Sequence, residues 1–264
     1  MTSYEADLDL IRSAALAAGA LALSERERGV KTWSKDGGSP VTSADIAVDE
    51  LLKSRLLSAR PDYGWLSEET ADSPDRLTKA RIFVVDPIDG TVAFMKNKPW
   101  WCVPIAVIEN GRPVAAVIHA PQLNETFEAT LGGGARLNGQ LISASDTDTL
   151  EDASMLADAM LIQSPRWAEP WPAMRLEKRN AIAYRMALVA AGAFDAAIAI
   201  SPKWDWDIAA GDLIAHEAGA RVTDHQGNGW VFNRPDPRQA SLVCSAPALH
   251  PLILERTRPI PLTP

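Results

Sequence analysis

Two aspartates three residues apart, Asp86 and Asp89, follow the apolar run Ile82-Phe83-Val84-Val85 and precede Gly90-Thr91. That run, with its paired β-branched valines, reads as a buried strand. Pro87 has no N–H and cannot continue a sheet ladder, so pairing stops at Asp86. Carboxylates at a strand end can serve as hard oxygen ligands for Mg²⁺, which takes a few carboxylates and completes its shell with water and substrate phosphate. Gly90 removes a Cβ where the backbone must approach a ligand. A helix opening at Gly90–Thr91 would turn free N–H groups toward an anion. The same residues also read as a plain strand, turn and capped helix, since Asp-Pro and Asp-Gly are common turn dipeptides.

Three further acids fall at the ends of expected elements: Glu68 after the short strand Tyr63–Ser67, and Asp205 and Asp207 at the opening of a helix that runs to Gly219. Other chemistries lack their residues. His119, His216, His225 and His250 are scattered, with no Cys/His metal spacing. No G-x-S-x-G nucleophile turn occurs. Gly132-Gly133-Gly134 lacks the lysine and the serine or threonine of a Walker phosphate loop. Oxygen-ligated metal hydrolysis is what elimination leaves.

The elements that must position these acids are legible in part. Residues 4–28 carry apolar positions at helical spacing and stop at Gly29. The polar, glycine-rich segment 31–40 reads as a connector without structure of its own; its alternative is a lid bringing Lys35 or Asp36 near a site. A second helix starts at Thr42-Ser43, with Asp45 in its first turn where the dipole favours an acid, and ends before Pro61. Trp100–Glu109 reads as a buried strand turning at Asn110-Gly111 into Val114–His119, with Thr126–Leu131 as a third antiparallel strand. Asn138-Gly139 is another turn. Residues 143–152 are a plausible boundary, dividing the chain into an N-terminal α+β part (1–145) and a C-terminal α/β part (146–264). Residues 162–180 resist reading. Ala181–Ala191 resumes helical spacing and Gly192 ends it. Ala196–Ile200, Arg221–Thr223, Gly229–Phe232 and Leu242–Cys244 are expected strands, and Leu249–Leu254 a last helix. Strands and helices mix irregularly, which favours layered α/β over a regular barrel.

Composition narrows the function further. A net charge of −8 over 264 residues argues against a nucleic-acid-binding surface. An acidic protein that handles phosphates needs metal ions to offset repulsion. Cys102 and Cys244 lie in apolar runs and read as buried thiols of a reducing compartment. The N-terminus lacks the basic start of a signal peptide, and the run Ala14–Leu23 is too short to span a bilayer. The expectation is a soluble cytoplasmic protein.

Three stretches together carry a resemblance: Trp65-Leu66-Ser67-Glu68-Glu69, Asp86-Pro87-Ile88-Asp89-Gly90-Thr91 and Trp206-Asp207-Ile208-Ala209-Ala210-Gly211. They are similar, in order and spacing, to the signatures of the inositol monophosphatase family, which includes bacterial 3'(2'),5'-bisphosphate nucleotidases of the CysQ type. The similarity runs from the first helix to the last strand. It implies an α/β (α+β) fold, the layered αβαβα sandwich. It implies Glu68, Asp86, Asp89, Asp207 and the Ile88 carbonyl as ligands of two or three Mg²⁺ ions, with Mn²⁺ able to substitute. Thr91 would hydrogen-bond the attacking water, Asp45 would orient Thr91, and Glu68 would help take the proton. Gly90 and Thr91 would offer backbone N–H groups to phosphate, and Asp207 would hold the water that protonates the leaving group. Ser67 replaces a glycine common before the first acid, and Asp205 is left as a neighbour of the ligand Asp207.

The resemblance is less specific about substrate. Inositol-preferring members place a glutamate seven residues before the last motif's aspartate, where this chain has Ile200. A Gly-Thr or Gly-Ser turn is replaced by Arg179-Asn180. These departures favour 3'-phosphoadenosine 5'-phosphate over inositol 1-phosphate, with histidinol phosphate, a sugar bisphosphate or a non-catalytic metabolite-binding role as alternatives. Arg179, Arg185 and Lys203 can meet a second phosphate or be surface charges. Trp100 and Trp101 can stack a base or fill the core. The expected partners are a small phosphorylated metabolite and a second copy of the chain, with no nucleic acid polymer and no membrane.

Overall fold

The computed structural model describes residues 3–35 and 38–262; Asp36, part of the lid alternative, lies outside them. In chain order the elements are α1 (Ser3–Arg28), β1 (Thr32–Ser34), β2 (Pro40–Thr42), α2 (Ser43–Ala59), β3 (Gly64–Ser67), a 3-10 turn (Pro74–Thr78), β4 (Arg81–Val85), α3 (Thr91–Met95), β5 (Val103–Glu109), β6 (Arg112–Ala120), β7 (Glu125–Thr130), β8 (Gly134–Leu137) and β9 (Gln140–Leu141). There follow β10 (Ser154–Leu156), α4 (Ala159–Ile162), β11 (Arg175–Glu177), α5 (Ile182–Ala190), β12 (Ala196–Ala199), β13 (Lys203–Trp204), α6 (Asp205–Glu217), β14 (Arg221–Thr223), β15 (Arg238–Gln239), β16 (Leu242–Ser245) and α7 (Leu249–Thr257).

Strand alternation builds the layers. In β4, Phe83 and Val85 face a core shared with Ile11, Ala15 and Ala18 of α1 and Val48, Leu52 and Leu56 of α2. Ile82 and Val84 face the opposite way, into a core with α5 and α6. That second core continues through Leu156, Ala197, Leu242 and Cys244 of the second sheet. The other face of the second sheet, with Met155, Ala196, Ile198 and Val243, packs on Leu249 and Ile253 of α7. Helices, sheet, helices, sheet, helix is the αβαβα sandwich. The first sheet runs β3-β4-β5-β6-β7-β8-β9 and the second β11-β10-β12-β16-β14.

Turn chemistry follows the sequence closely. Asn110 and Gly111 both take positive φ, 51° and 75°, as a tight hairpin between twisted strands requires. Gly132 and Gly134 donate their N–H groups to the Glu217 carboxylate at the end of α6, so this glycine run holds a helix end and not a phosphate. Both cysteines are buried and free. Among the described residues no helix is long and apolar enough to cross a membrane.

Several expectations need correction. The segment 31–40 is not structureless: β1 and β2 pair antiparallel, Thr32 opposite Thr42. Three-residue strands are too short to show a period. Trp100 and Trp101 precede β5 and do not belong to it; Trp101 is fully buried, edge-on to Phe94. Gly229–Phe232 joins no ladder. Trp230 and Phe232 are buried there, and Phe232 N–H donates to the Gly111 carbonyl at 3.0 Å. The unread region begins at the last residue of α4 and contains β11. Its Trp167 and Trp171 pack edge-on into the outer core.

The segment after β9 is tied down by one carboxylate. Asp195 accepts hydrogen bonds from Ser145 Oγ and Thr147 Oγ1, both 2.6 Å, and from Ser154 N–H and Oγ, both 2.7 Å. Burial pushes its pKa up, but these bonds outweigh that and hold it at about 2. A depressed pKa stabilises the fold above the unfolded aspartate value and loses that contribution as pH falls toward 2. Asp195→Ala should lower stability by about 2–4 kcal/mol at neutral pH, measured by urea unfolding. The difference from wild type should shrink between about pH 4 and pH 2.

Candidate active site

The parallel pairing of β3 with β4 sets the site. Ser67 lies opposite Val85, so both strands end together. Glu68 and Asp86 leave the sheet side by side, with Glu68 N–H donating to the Val85 carbonyl. Asp86 Oδ1 accepts Ile88 N–H at 3.0 Å, closing the turn. Asp89 then pairs as an isolated bridge with Cys102, giving its N–H to the Cys102 carbonyl at 2.9 Å.

Asp89 has a second role that sequence spacing does not show. Its two oxygens accept Ile182 N–H at 3.0 Å and Ala183 N–H at 2.6 Å, the first two amides of α5. The carboxylate caps a helix 93 residues away, where the dipole favours an anion. Gly90 serves the same junction: its φ is +92°, and a Cβ would stand 3.0 Å from Ala181 Cβ and 3.2 Å from Ala181 N. Its freedom is therefore used against the start of α5.

Thr91 Oγ1 lies 3.2 Å from Asp45 Oδ1 and 3.1 Å from the Ile88 carbonyl, both acceptors for its single proton. Asp45 is buried; its other oxygen takes Thr42 N–H at 2.8 Å and Thr42 Oγ1 at 2.6 Å. Asp207, in the first turn of α6, accepts Trp204 N–H at 2.8 Å. One cavity of 190 Å³ is lined by Glu68, Asp86, Ile88, Asp89, Gly90, Thr91 and Asp207, with Ser39 and Pro40 of the β1–β2 hairpin and Asn180 at its margins. Asp45 stands behind it through Thr91. Asp205 does not line it.

Burial, reinforced by crowding of like charge, sets the electrostatics. Asp86 is pushed well above the usual carboxylate range, first by burial and then by the charges of Glu68, Asp89, Asp207 and Asp45. Burial and Asp207 raise Asp89 to about 7. Burial raises Asp207 to about 6, against its bond to Trp204 and the charge of Lys203. Lys35 of the hairpin answers part of this charge, its ammonium 2.8 Å from Glu68 and 2.6 Å from Glu69. Sequence reasoning treated Lys35 mainly as a connector residue, since only the pairing of β1 with β2 reveals where it points. The histidines bond elsewhere: His119 to Thr126, His225 to Ser241, and His250 to Thr223 and Ser245.

Among the described residues no three His, Cys, Asp or Glu side chains already stand together as a metal cage. Their present partners account for that: Lys35 holds Glu68, the α5 amides hold Asp89, and Trp204 N–H holds Asp207. The donor set nevertheless fits a hard divalent cation. It is all oxygen, and its raised pKa values record a repulsion that a cation relieves.

Residues 4–262 match the inositol monophosphatase family. The chain belongs to the inositol monophosphatase family. A Thermotoga maritima protein named fructose-1,6-bisphosphatase/inositol-1-monophosphatase is 34% identical over 207 residues, 75% of each chain. The Vibrio cholerae Nus factor SuhB is 31% identical over 260 residues, 94% of each. The structure of a SuhB protein from Bartonella henselae superposes with a TM-score of 0.81 at 26% identity, covering 95% of this chain and 97% of that one. A Thermotoga maritima IMPase gives 0.81 at 27% identity, covering 94% and 95%. Membership of this family supports a phosphatase of that family.

The raised pKa values carry a signed consequence. Without metal, the folded protein keeps protons on Asp89 and Asp207 that the unfolded chain releases near pH 4, so stability falls as pH rises from about 4 to about 7. A divalent cation should reverse this. In thermal melts from pH 5 to 8, added Mg²⁺ should raise Tm little at pH 5 and increasingly toward pH 8.

Proposed function

We propose that the chain is a Mg²⁺-dependent phosphomonoesterase whose substrate is a small metabolite carrying a second anionic group. Glu68, Asp86, Asp89, Asp207 and the Ile88 carbonyl would hold the metal ions, two or three in number. When bound, these supply charge neutralisation at phosphate and a water acidic enough to attack. The protein's own residues do the rest. Thr91 gives its proton inward, to Asp45 or to the Ile88 carbonyl, so its lone pairs are left to accept a hydrogen from the attacking water. Asp45 holds that orientation. Glu68 takes the water's proton once Lys35 releases it. The opening N–H groups of α3, at Gly90 and Thr91, bind phosphate oxygen. Asp207 orients the group that protonates the leaving oxygen.

One observation carries the substrate class. Arg185 and Lys203 are partly buried cations near the acids, and neither has an ion-pair partner among the described residues. Arg185 Nε donates to the Arg179 carbonyl at 2.7 Å, and Lys203 Nζ to Ser201 Oγ at 3.0 Å and the Pro202 carbonyl at 3.1 Å. Burial lowers both pKa values, while Asp89 and Asp207 help keep Lys203 charged and Asp89 does the same for Arg185. Partly buried cations bonded only to neutral groups suit an anionic guest. Ile200, where a sugar-binding glutamate would stand, packs toward the outer core. A neutral polyol therefore gains little here, and a bisphosphate such as 3'-phosphoadenosine 5'-phosphate or a sugar bisphosphate gains most. The Thermotoga maritima relative is named for both a bisphosphate and an inositol monophosphate, so it supports the phosphatase class without choosing between them.

A panel of 3'-phosphoadenosine 5'-phosphate, fructose 1,6-bisphosphate, inositol 1-phosphate and histidinol phosphate, assayed for phosphate release with and without Mg²⁺, tests the proposal. Both bisphosphates should show the higher kcat/KM. Lys203→Met should lower that advantage by about tenfold, the worth of one charge-assisted contact. Asp86→Asn should cost more than the about 10–100-fold typical of losing an outer partner of a metal ligand. Absence of Mg²⁺-dependent release on every substrate would favour a binding role instead, as the SuhB relatives' name of Nus factor allows for those proteins.

A further inference from the structure

Asp205 repeats the acid of the third motif, yet it faces away from the cavity. It is fully buried. Its oxygens accept Gln239 Nε2 and Asn233 N–H, both at 2.8 Å, and its own N–H donates to the Pro237 carbonyl at 2.8 Å. Residues 233–239 are thereby fastened to the first turn of α6. Their other side is fastened to the first half of the chain. Asn233 Oδ1 accepts Arg76 Nη1 at 2.7 Å, and the Arg234 carbonyl accepts Arg76 Nη2 at 3.0 Å. Arg76 is buried and clamped by Asp72 at 2.7 and 2.8 Å. Asn233 takes a φ of +58°, which asparagine tolerates better than most side chains.

Arg76 stands in the 3-10 turn that joins β3 to β4, the two strands that end at Glu68 and Asp86. Asp205 stands two residues before Asp207. The strap Asp72–Arg76–Asn233–Asp205 therefore links the turn between β3 and β4 to the start of α6. We propose that Asp205 is a positioning residue: through this strap it fixes where α6 begins relative to β3 and β4, and so places Asp207 against Glu68, Asp86 and Asp89. The inference rests on Asp207 being a metal-holding carboxylate. A buried carboxylate with hydrogen bonds and no ion pair is a costly way to gain stability. It is an effective way to fix a helix start, since both oxygens have directed partners on one loop. Asp207, bonded to Trp204 N–H in the same turn, moves with that start.

Two variants test it: Asp205→Ala, and Arg76→Met at the far end of the strap. Each is titrated with Mn²⁺ by calorimetry well below its melting midpoint, with folding checked by circular dichroism. Asp205→Ala should raise the Mn²⁺ Kd about 10–100-fold, as losing an outer-shell partner does. Arg76→Met should shift it in the same direction. Wild-type affinity in folded Asp205→Ala, with only Tm reduced, overturns the inference. Should Asp205→Ala fail to fold, wild-type affinity in Arg76→Met overturns it. A wild-type protein that binds no Mn²⁺ overturns the metal reading of Asp207 itself, and with it the foundation of the inference.

Discussion

Repulsion among buried carboxylates is the constraint around which this molecule is arranged. Glu68, Asp86, Asp89 and Asp207 come from three separated stretches and line one cavity. Burial first, and the neighbouring negative charges after it, displace Asp86, Asp89 and Asp207 upward. A fold has no packing reason to gather such groups, since burying charge without a partner opposes folding. A site for cations and phosphate is the use proposed for the arrangement.

The surrounding structure supports the crowding through backbone amides. Asp89 caps α5, Asp207 bonds within the first turn of α6, and Asp86 closes its own turn. Helix starts supply N–H groups that would otherwise lack acceptors, so each carboxylate is partly stabilised and each helix is partly capped. The two helices lie in the middle layer, between the sheets, so the site is built where the layers meet. Lys35 covers Glu68 from outside with a tethered positive charge. Arg185 and Lys203 bring cations to the other side, where a guest's second anion is proposed to bind.

The sequence made the acids and their strands readable for physical reasons. Val84-Val85 before Asp86-Pro87 marks a strand and its end, and Asn110-Gly111 and Asn138-Gly139 mark hairpins through their need for positive φ. The layer order came with the family resemblance, since strands such as β5 and β6 are buried on both faces and show no polar alternation. What escaped was long-range or very short. Pairing of the three-residue β1 and β2 leaves no periodic trace, so the placement of Lys35 was hidden. Trp230 and Phe232 look like a strand because they are apolar, but a single bond to Gly111 seats them. The role of Asp205 depends on Asn233 and Gln239, 28 and 34 residues away, and no local pattern encodes that.

The central claim is that these acids form one divalent-cation site, and anomalous diffraction from a crystal soaked in Mn²⁺ tests it most directly. Manganese peaks about 2.0–2.3 Å from oxygens of Glu68, Asp86, Asp89 and Asp207 and from the Ile88 carbonyl, with Lys35 displaced from Glu68, are the expected result. An ordered cavity without manganese, with Lys35 still bonded to Glu68 at saturating Mn²⁺, would contradict it.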